Sequence, residues 1–148
     1  MLPGGWHSRP LLLHGQSLEA VLEQDARRLG DLGIRAEALG QALTDVLDQA
    51  KDSDWFRAFR LSHLDVEIRR RRGFITCPWA AEETEKCMAG KGGRATANQF
   101  LLRHRDSGLV LSGFEISAHL IRDHAFFGGP GTAFRLKPGD LAVVLNLR

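Results

Sequence analysis

The sequence predicts an α+β fold: an N-terminal helical pair packed on a small, mainly antiparallel sheet, with a hairpin and a helix forming a C-terminal lobe. Three observations lead to this prediction. The apolar residues of the first third repeat at helical spacing. From about Leu64 the pattern changes to alternation between apolar and polar residues. Two apolar stretches then flank a turn-forming segment at residues 105–108.

A chain of 148 residues has the usual size of one domain, so we expect a single domain over residues 1–148, helical over about 17–62 and β-rich over about 63–148. The 43% apolar and 26% charged residues exclude disorder and a disulfide-dense scaffold. The apolar runs at 11–13 and 141–145 are far shorter than the roughly 20 residues that cross a bilayer. No secretory leader is evident, so we expect a cytoplasmic protein whose two cysteines are thiols or metal ligands.

The net charge of +2 hides a difference between the two halves of the sequence. Residues 1–68 contain seven Lys or Arg and eleven Asp or Glu, whereas residues 69–148 contain thirteen and seven. The basic half can attract phosphate or an acidic partner through its field. Alternatively, the two halves attract each other within one fold.

The first helix is predicted over about 17–30, because Ser17 is a favoured N-cap and precedes a helical apolar pattern. It should end near Gly30 or Gly33, and Gly33 with Ile34 should join it to an antiparallel second helix. The second helix is indicated by one apolar stripe: Ala38, Leu39, Ala42, Leu43, Val46, Leu47 and Ala50. A third, short helix capped by Ser53 or Asp54 would carry Trp55, Phe56 and Phe59.

Strands are predicted on both sides of residues 70–73, because Val66 and Ile68 alternate with charged neighbours and Phe74 and Thr76 alternate after the turn. These strands begin the β-rich part of the chain. The glutamate- and glycine-containing segment that follows, residues 82–93, predicts a short helical turn passing into a flexible loop.

A hairpin of residues 99–104 and 109–114 is the strongest β signal, since Asp and Gly at 105–108 suit a tight turn. Ser117 is expected to cap the helix that follows. That helix should end after Phe126 and Phe127, at the helix-breaking residues Gly128, Gly129 and Pro130.

The C-terminal segment allows two structures. We prefer a hairpin of residues 134–137 and 141–147 around Pro138 and Gly139, a pair suited to a type II turn. β-Branched Val143 and Val144 favour strand. The alternative is a terminal helix beginning at Pro138, which the spacing of Leu141, Val144 and Leu145 tolerates.

The candidate metal site consists of Cys77, Cys87, His119 and His124, a donor set that suits zinc. The spacing differs from that of a zinc finger, because nine residues separate the cysteines and thirty-one separate Cys87 from His119. The two histidines lie about 140° apart around an ideal helix, so both reach one ion only if the helix distorts or ends between them. His119 and Asp123 share a helix face. The alternative is that the cysteines are small buried residues and the histidines form ordinary hydrogen bonds.

The same residues permit a catalytic hypothesis. Cys77 or Cys87 would be the nucleophile, and His119 or His124 the base. The orienting carboxylate would be Asp123 or Glu115. A zinc hydrolase would instead keep an open water position, with Glu82, Glu83 or Glu115 as general base. His104, an additional candidate donor, is expected to be exposed beside a charged turn.

The basic segment Arg69, Arg70, Arg71 and Arg72 is the main candidate for binding nucleic acid or an acidic protein partner, together with Arg94. Consecutive strand residues point to opposite sides, so at most half of these arginines can serve one surface. The alternative is a solvated edge that discourages aggregation. Most aromatic residues should be core, whereas Trp6 and Trp79 are candidate exposed anchors.

These observations predict a non-enzymatic intracellular interaction module, stabilised by zinc and binding an acidic protein or nucleic acid, with no membrane association. The alternative is a small metal- or thiol-dependent enzyme of hydrolase type that uses the same Cys and His residues. A structural site would be closed by four protein ligands, whereas a catalytic site would be open in a pocket.

Overall fold

The computed structural model describes residues 11–52, 59–61, 63–80 and 94–147. The fold is α+β, as the sequence predicted. In chain order the elements are α1 Leu18–Leu32, α2 Ala36–Asp52, β1 Phe59–Arg60, β2 Leu64–Arg69, β3 Phe74–Thr76, β4 Arg94–Thr96, β5 Gln99–His104, β6 Val110–Phe114, α3 Glu115–His124 and α4 Pro138–Val144. The predicted third helix starting at Ser53 or Asp54 and the predicted turn at 82–93 lie outside the described residues, and Phe59 belongs to β1.

The first helix begins and ends where its sequence signals indicate. The Ser17 hydroxyl accepts a hydrogen bond from the Ala20 N–H at 3.3 Å, which satisfies one backbone donor of the first turn. Gly33 ends α1 in the left-handed region, with φ 68°, a conformation that costs glycine little. The main helical contact of α1 is with α4, whereas α2 packs chiefly against α3. The expected antiparallel packing of α1 on α2 is therefore not the principal arrangement.

The close approach of α2 and α3 depends on Gly40. A Cβ atom at this position would overlap the Arg122 backbone nitrogen. The predicted stripe of α2 supplies buried residues to this contact and to the sheet: Leu39, Leu43, Val46, Leu47 and Ala50. Ala38, at the start of the stripe, is exposed.

The main sheet is antiparallel and has the strand order β1-β2-β5-β6. The predicted hairpin is confirmed as β5 and β6, and Gly108 in its turn has φ 73°. Strand β2 pairs with β5 from Leu64 opposite His104 to Arg69 opposite Gln99. Alternate residues of both strands point into the main core, where they join buried residues of α2, α3 and α4. These strand residues are Leu64, Val66, Ile68, Phe100 and Leu102.

A second sheet of two strands, β3 and β4, lies between β2 and β5 in the chain. Strands do flank residues 70–73 as predicted, but they belong to different sheets. Asn98 connects the segment before β3 to the start of α3. Its side-chain oxygen accepts a hydrogen bond from the Arg71 N–H at 3.0 Å, and its carbonyl accepts one from the Glu115 N–H at 3.1 Å.

Helix α3 begins earlier and ends earlier than the sequence indicated. Its first residue is Glu115, so Ser117 is an internal residue of the first turn and not the N-cap. The Ser117 hydroxyl accepts from the Phe114 N–H at 3.4 Å. The helix ends at His124, because Ala125 adopts a left-handed conformation with φ 52°.

The preferred C-terminal hairpin is wrong, and the helical alternative is correct. Helix α4 starts with Pro138, whose ring fixes a helical φ and whose missing N–H needs no partner in a first turn. Leu141, Val144 and Leu145 lie on one buried face of this helix. Burial of this face outweighs the small helix penalty of adjacent β-branched residues.

A second apolar cluster lies around the N-terminal segment, the start of α3 and the chain that follows it. Its buried members are Leu11, Leu12, Val21, Cys77, Phe114, Ile116, Leu120, Phe126 and Phe134. Phe126 and Phe127 are buried as predicted. Among the described helices, none combines the length and apolar character required to cross a bilayer.

Candidate metal centre

Cys77 follows β3 directly and is buried in the second apolar cluster, with 2% of its surface exposed. Its Sγ lies 3.3 Å from Nε2 of His124, a residue 47 positions later in the chain. The short β3 strand thus carries the thiol to the C-terminal end of α3. This contact brings together two of the four predicted metal ligands.

His119 completes a group of three donors. Cys77, His119 and His124 each offer one ligand atom, and these atoms all lie within 4.8 Å of one another. The two imidazole rings meet edge to face, with centroids 5.0 Å apart. The sequence allowed both histidines to reach one point only if the helix ended or distorted there, and His124 is indeed the last residue of α3.

Asp123 orients one of these imidazoles. Nδ1 of His119 lies 2.8 Å from the Asp123 carboxylate, as expected for two residues on one helix face. The guanidinium of Arg122 also donates to this carboxylate, at 3.0 and 3.2 Å. A carboxylate that accepts from Nδ1–H makes Nε2 the metal-binding nitrogen of His119.

The pKa shifts of these two groups favour the protonation states that a metal requires. Burial lowers the pKa of His119 below its ordinary value of 6.5, and the neighbouring Asp123 charge offsets this only in part. Burial would by itself raise the pKa of Asp123, but Arg122 and His119 together hold it below its ordinary value of 3.8. The pair is therefore a neutral imidazole beside a carboxylate at neutral pH.

Trp79 forms one wall of the site, a role that the sequence did not reveal. Its indole ring stacks on the imidazole of His124, and Phe126 contacts the indole edge to face. Trp79 is half-buried, so it is not the fully exposed anchor that its proline neighbour suggested. Its position two residues after Cys77 is the only sequence signal for this contact.

The remaining predicted site residues are distributed differently. Cys87, Glu82 and Glu83 lie outside the described residues. Glu115 is in the first turn of α3, where it pairs with Lys51 at 2.9 Å and accepts from the Thr96 hydroxyl. Glu115 thus has a structural ion pair and is not in the group of three donors.

The expectation that His104 is exposed is wrong. His104 is buried, with Nδ1 2.7 Å from the Ser107 hydroxyl and Nε2 3.0 Å from the Asn146 side-chain oxygen. These contacts join the β5–β6 turn to the end of α4. Asn146 lies just after α4, the helix that replaces the preferred hairpin.

The basic segment 69–72 is exposed throughout. Arg69 pairs with Glu67 at 3.0 Å, and Arg71 donates to the Gln99 side chain at 3.1 Å. Arg69 and Arg71 thus contact polar side chains of the same sheet. The Arg94 backbone belongs to β4, opposite Thr76.

No protein-family model, curated protein or solved structure matches this chain.

Proposed function

We propose that this chain is a zinc-binding interaction module in which Cys77, His119 and His124 hold the metal. One observation carries the proposal: the Cys77 thiol meets two histidines of α3, which lie far later in the sequence, at one largely buried point. Free cysteine is among the most buried residue types and often packs as a small apolar residue. Two imidazoles beside the same sulfur, one of them oriented by a carboxylate, are less readily explained by packing alone.

The chemistry of the donor set suits zinc. Thiolate and neutral imidazole are the principal zinc ligands, and a tetrahedral site accepts one sulfur and two nitrogens with a fourth ligand. The low pKa of His119 leaves it neutral, as coordination requires. In a structural site, zinc would link the residue after β3 to α3. In a catalytic site, an open coordination position on zinc would hold an activated water.

Cys87 is the fourth ligand that we propose for a structural site. It is the only other cysteine of the chain, and a second thiolate would complete a Cys₂His₂ set. A closed site of this kind contributes to folding and has no position for a substrate.

The small β3–β4 sheet favours a structural role. Two strands of three residues each have little intrinsic stability, because a two-stranded sheet is marginal in water. Cys77 immediately follows β3, and both histidines belong to α3, which packs on the main core through α2. A metal at this position would fasten the small sheet to the stable part of the protein.

The interaction partner that we propose is acidic, either a protein or a nucleic acid, and the basic segment 69–72 with Arg94 would bind it. The exposure of Arg70 and Arg72 supports this proposal, because both lie at the turn that leads into β3. Several cations on one face are needed for a phosphate backbone, so Arg94 on the neighbouring strand would add to them.

A second candidate function is a small metal- or thiol-dependent enzyme. The 3.3 Å contact between the Cys77 Sγ and the His124 Nε2 is within the range for a thiol and its base. Asp123 contacts the other histidine, His119, so the nucleophile, base and carboxylate do not form one relay. This arrangement favours shared metal coordination over a catalytic triad.

Metal content of the purified protein tests the proposal. We expect about one zinc per chain in the wild type and loss of that zinc in Cys77→Ala and His124→Ala. His14→Ala, which removes an exposed histidine outside the group of three donors, is the matched control and should retain the metal. Protein prepared without chelator that contains no zinc and binds none when zinc is added would overturn the proposal.

The Cys87→Ala variant distinguishes the two functions. If the site is structural, this variant should bind zinc more weakly and lose the β3–β4 cross-strand contacts seen by NMR. If the site is catalytic, the variant should keep both its zinc and its fold. An activity lost in Cys77→Ala while the fold persists would favour the enzyme.

Partner binding is tested by fluorescence anisotropy with labelled duplex DNA, single-stranded RNA and an acidic peptide. Replacement of Arg70 and Arg72 by Gln should weaken binding, and the wild-type affinity should fall steeply with salt. A flat salt response, or equal binding by the double variant, would remove the basic segment from the proposed function.

A further inference from the structure

A cleft of about 400 Å³ opens between α1 and the segment that leads into α4, and none of its residues belongs to the group of three metal donors. Residues from three parts of the chain line it: α1, the loop around Gly131, and residues 135–140. Its side chains are mostly charged or polar. The cleft therefore offers charged and hydrogen-bonding groups beside apolar surface.

Arg135 lines the cleft and its guanidinium is held by three hydrogen bonds. Its guanidinium donates to both carboxylate oxygens of Asp25, at 2.7 and 2.9 Å, and to the Gly128 carbonyl at 3.1 Å. Asp25 is buried, so this bidentate pair fixes α1 to the chain before α4. Because Asp25 neutralises Arg135, this pair supplies shape and hydrogen-bonding groups but little net charge.

The rim supplies the positive charge. Arg28 and Lys137 both line the cleft and are exposed, and no ion pair within the described ranges engages either of them. The guanidinium of Arg28 lies over Gly139, where a Cβ atom would be 3.1 Å from Nη2. The Arg28 side chain therefore extends from α1 to the first turn of α4. Within the described part of the chain, Asp140 is the acidic lining residue that lies outside the Asp25 pair.

We propose that this cleft binds a small phosphorylated molecule with a hydroxyl-bearing body, such as a sugar phosphate. Arg28 offers a planar pair of donors that matches phosphate oxygens, and Lys137 adds a second positive charge. The carboxylate of Asp140 and the amide of Gln24 accept hydrogen bonds from hydroxyl groups. A cleft of this volume is at the small end of the range for small-molecule sites. This inference does not depend on the proposed metal site.

NMR titration of the full chain tests the proposal, with inorganic phosphate, glucose 6-phosphate and glucose as probes. The amides of Gly131 and Gly139 report locally because both residues line the cleft. Low ionic strength is required, since salt screens exposed charges. We expect saturable shifts at these amides with both phosphate compounds, a lower Kd for the sugar phosphate, and no saturable shift with glucose.

Arg28→Gln and Lys137→Gln should each raise the Kd for glucose 6-phosphate by about fivefold or more, in line with the contribution of a charge-assisted hydrogen bond. Arg27→Gln is the matched control, because Arg27 is the preceding residue on α1 and pairs with Glu23 outside the cleft. It should leave the Kd unchanged. The proposal would be overturned if the shifts did not saturate below about 20 mM glucose 6-phosphate, a concentration far above a millimolar Kd. An equal Kd in Arg28→Gln and Arg27→Gln would also overturn it.

Discussion

The indole ring of Trp79 lies flat against the imidazole of His124, with centroids 4.2 Å apart and planes only 9° from parallel. The same imidazole directs Nε2 at the Cys77 sulfur. The stack therefore restricts the rotation of the ring that faces the thiol. Phe126 supports the indole from the side, so the orientation of His124 depends on aromatic packing as well as on the helix end.

Replacing Trp79 with Leu should weaken zinc binding by about tenfold, the smaller end of the effect seen when an orienting neighbour of a ligand is lost. Competition with a chromophoric chelator measures this change. Trp79→Phe keeps an aromatic face and should lose less affinity. Equal zinc affinity in the Leu variant and the wild type would mean that the stack does not orient the ligand.

Asp123→Asn should lower zinc affinity by about tenfold to a hundredfold, because an amide is a weaker acceptor for the His119 Nδ1–H and removes a nearby negative charge. The same competition assay applies. Asp31→Asn, at an exposed position of α1, is the control and should match the wild type. A similar loss of affinity in both variants would point to a general charge effect.

Two glycines within helices should respond oppositely to alanine. Gly40→Ala should lower the free energy of unfolding by about 1 to 3 kcal/mol or more, because its Cβ would overlap the Arg122 backbone. Gly30→Ala has open space around the new Cβ and should raise the free energy of unfolding by up to about 1 kcal/mol. Urea denaturation measures both. A neutral Gly40→Ala would show that α2 and α3 can separate at no cost.

Acidification should destabilise the protein partly through His63. Burial, followed by the charges of His104 and Arg105, lowers the pKa of His63 below its ordinary value of 6.5, although Asp106 opposes the shift. The unfolded chain therefore binds more protons than the folded chain as the pH falls below about 6.5, and stability declines. His63→Gln should reduce the loss of stability between about pH 7 and pH 5, measured by urea denaturation at each pH. Equal slopes in both proteins would contradict this assignment.

Local signals account for the parts of the fold that were predicted correctly. Ser17 and Gly33 mark the ends of α1 because capping depends on neighbouring residues. The β5–β6 hairpin follows from its turn, in which Gly108 takes the positive φ. The fold class follows from apolar periodicity, which records the faces that must be buried.

Tertiary contacts decided the parts that were not predicted. Residues 138–144 form a helix because Leu141 and Val144 are buried together, which outweighs the strand preference of adjacent valines. His104 is buried and contacts Asn146, a residue distant in sequence that follows α4. At the candidate metal centre, the residue types and their order indicated three donors that do converge. The contact of Trp79 with His124 joins distant parts of the chain, and no local sequence pattern predicts it.

The pairing of Arg69 with Gln99 has a consequence for how the chain is assembled. Strands β2 and β5 pair with each other, and residues 70–98 connect them in the chain. None of the described ladder pairs of the main sheet uses a residue of this connection, whereas Cys77 and Trp79 belong to it. One of the three candidate donors thus lies outside the main ladder, and the other two lie on α3. Changes in length or sequence within the connection would alter the Cys77 donor while sparing the ladder, as in loops that vary on a constant framework.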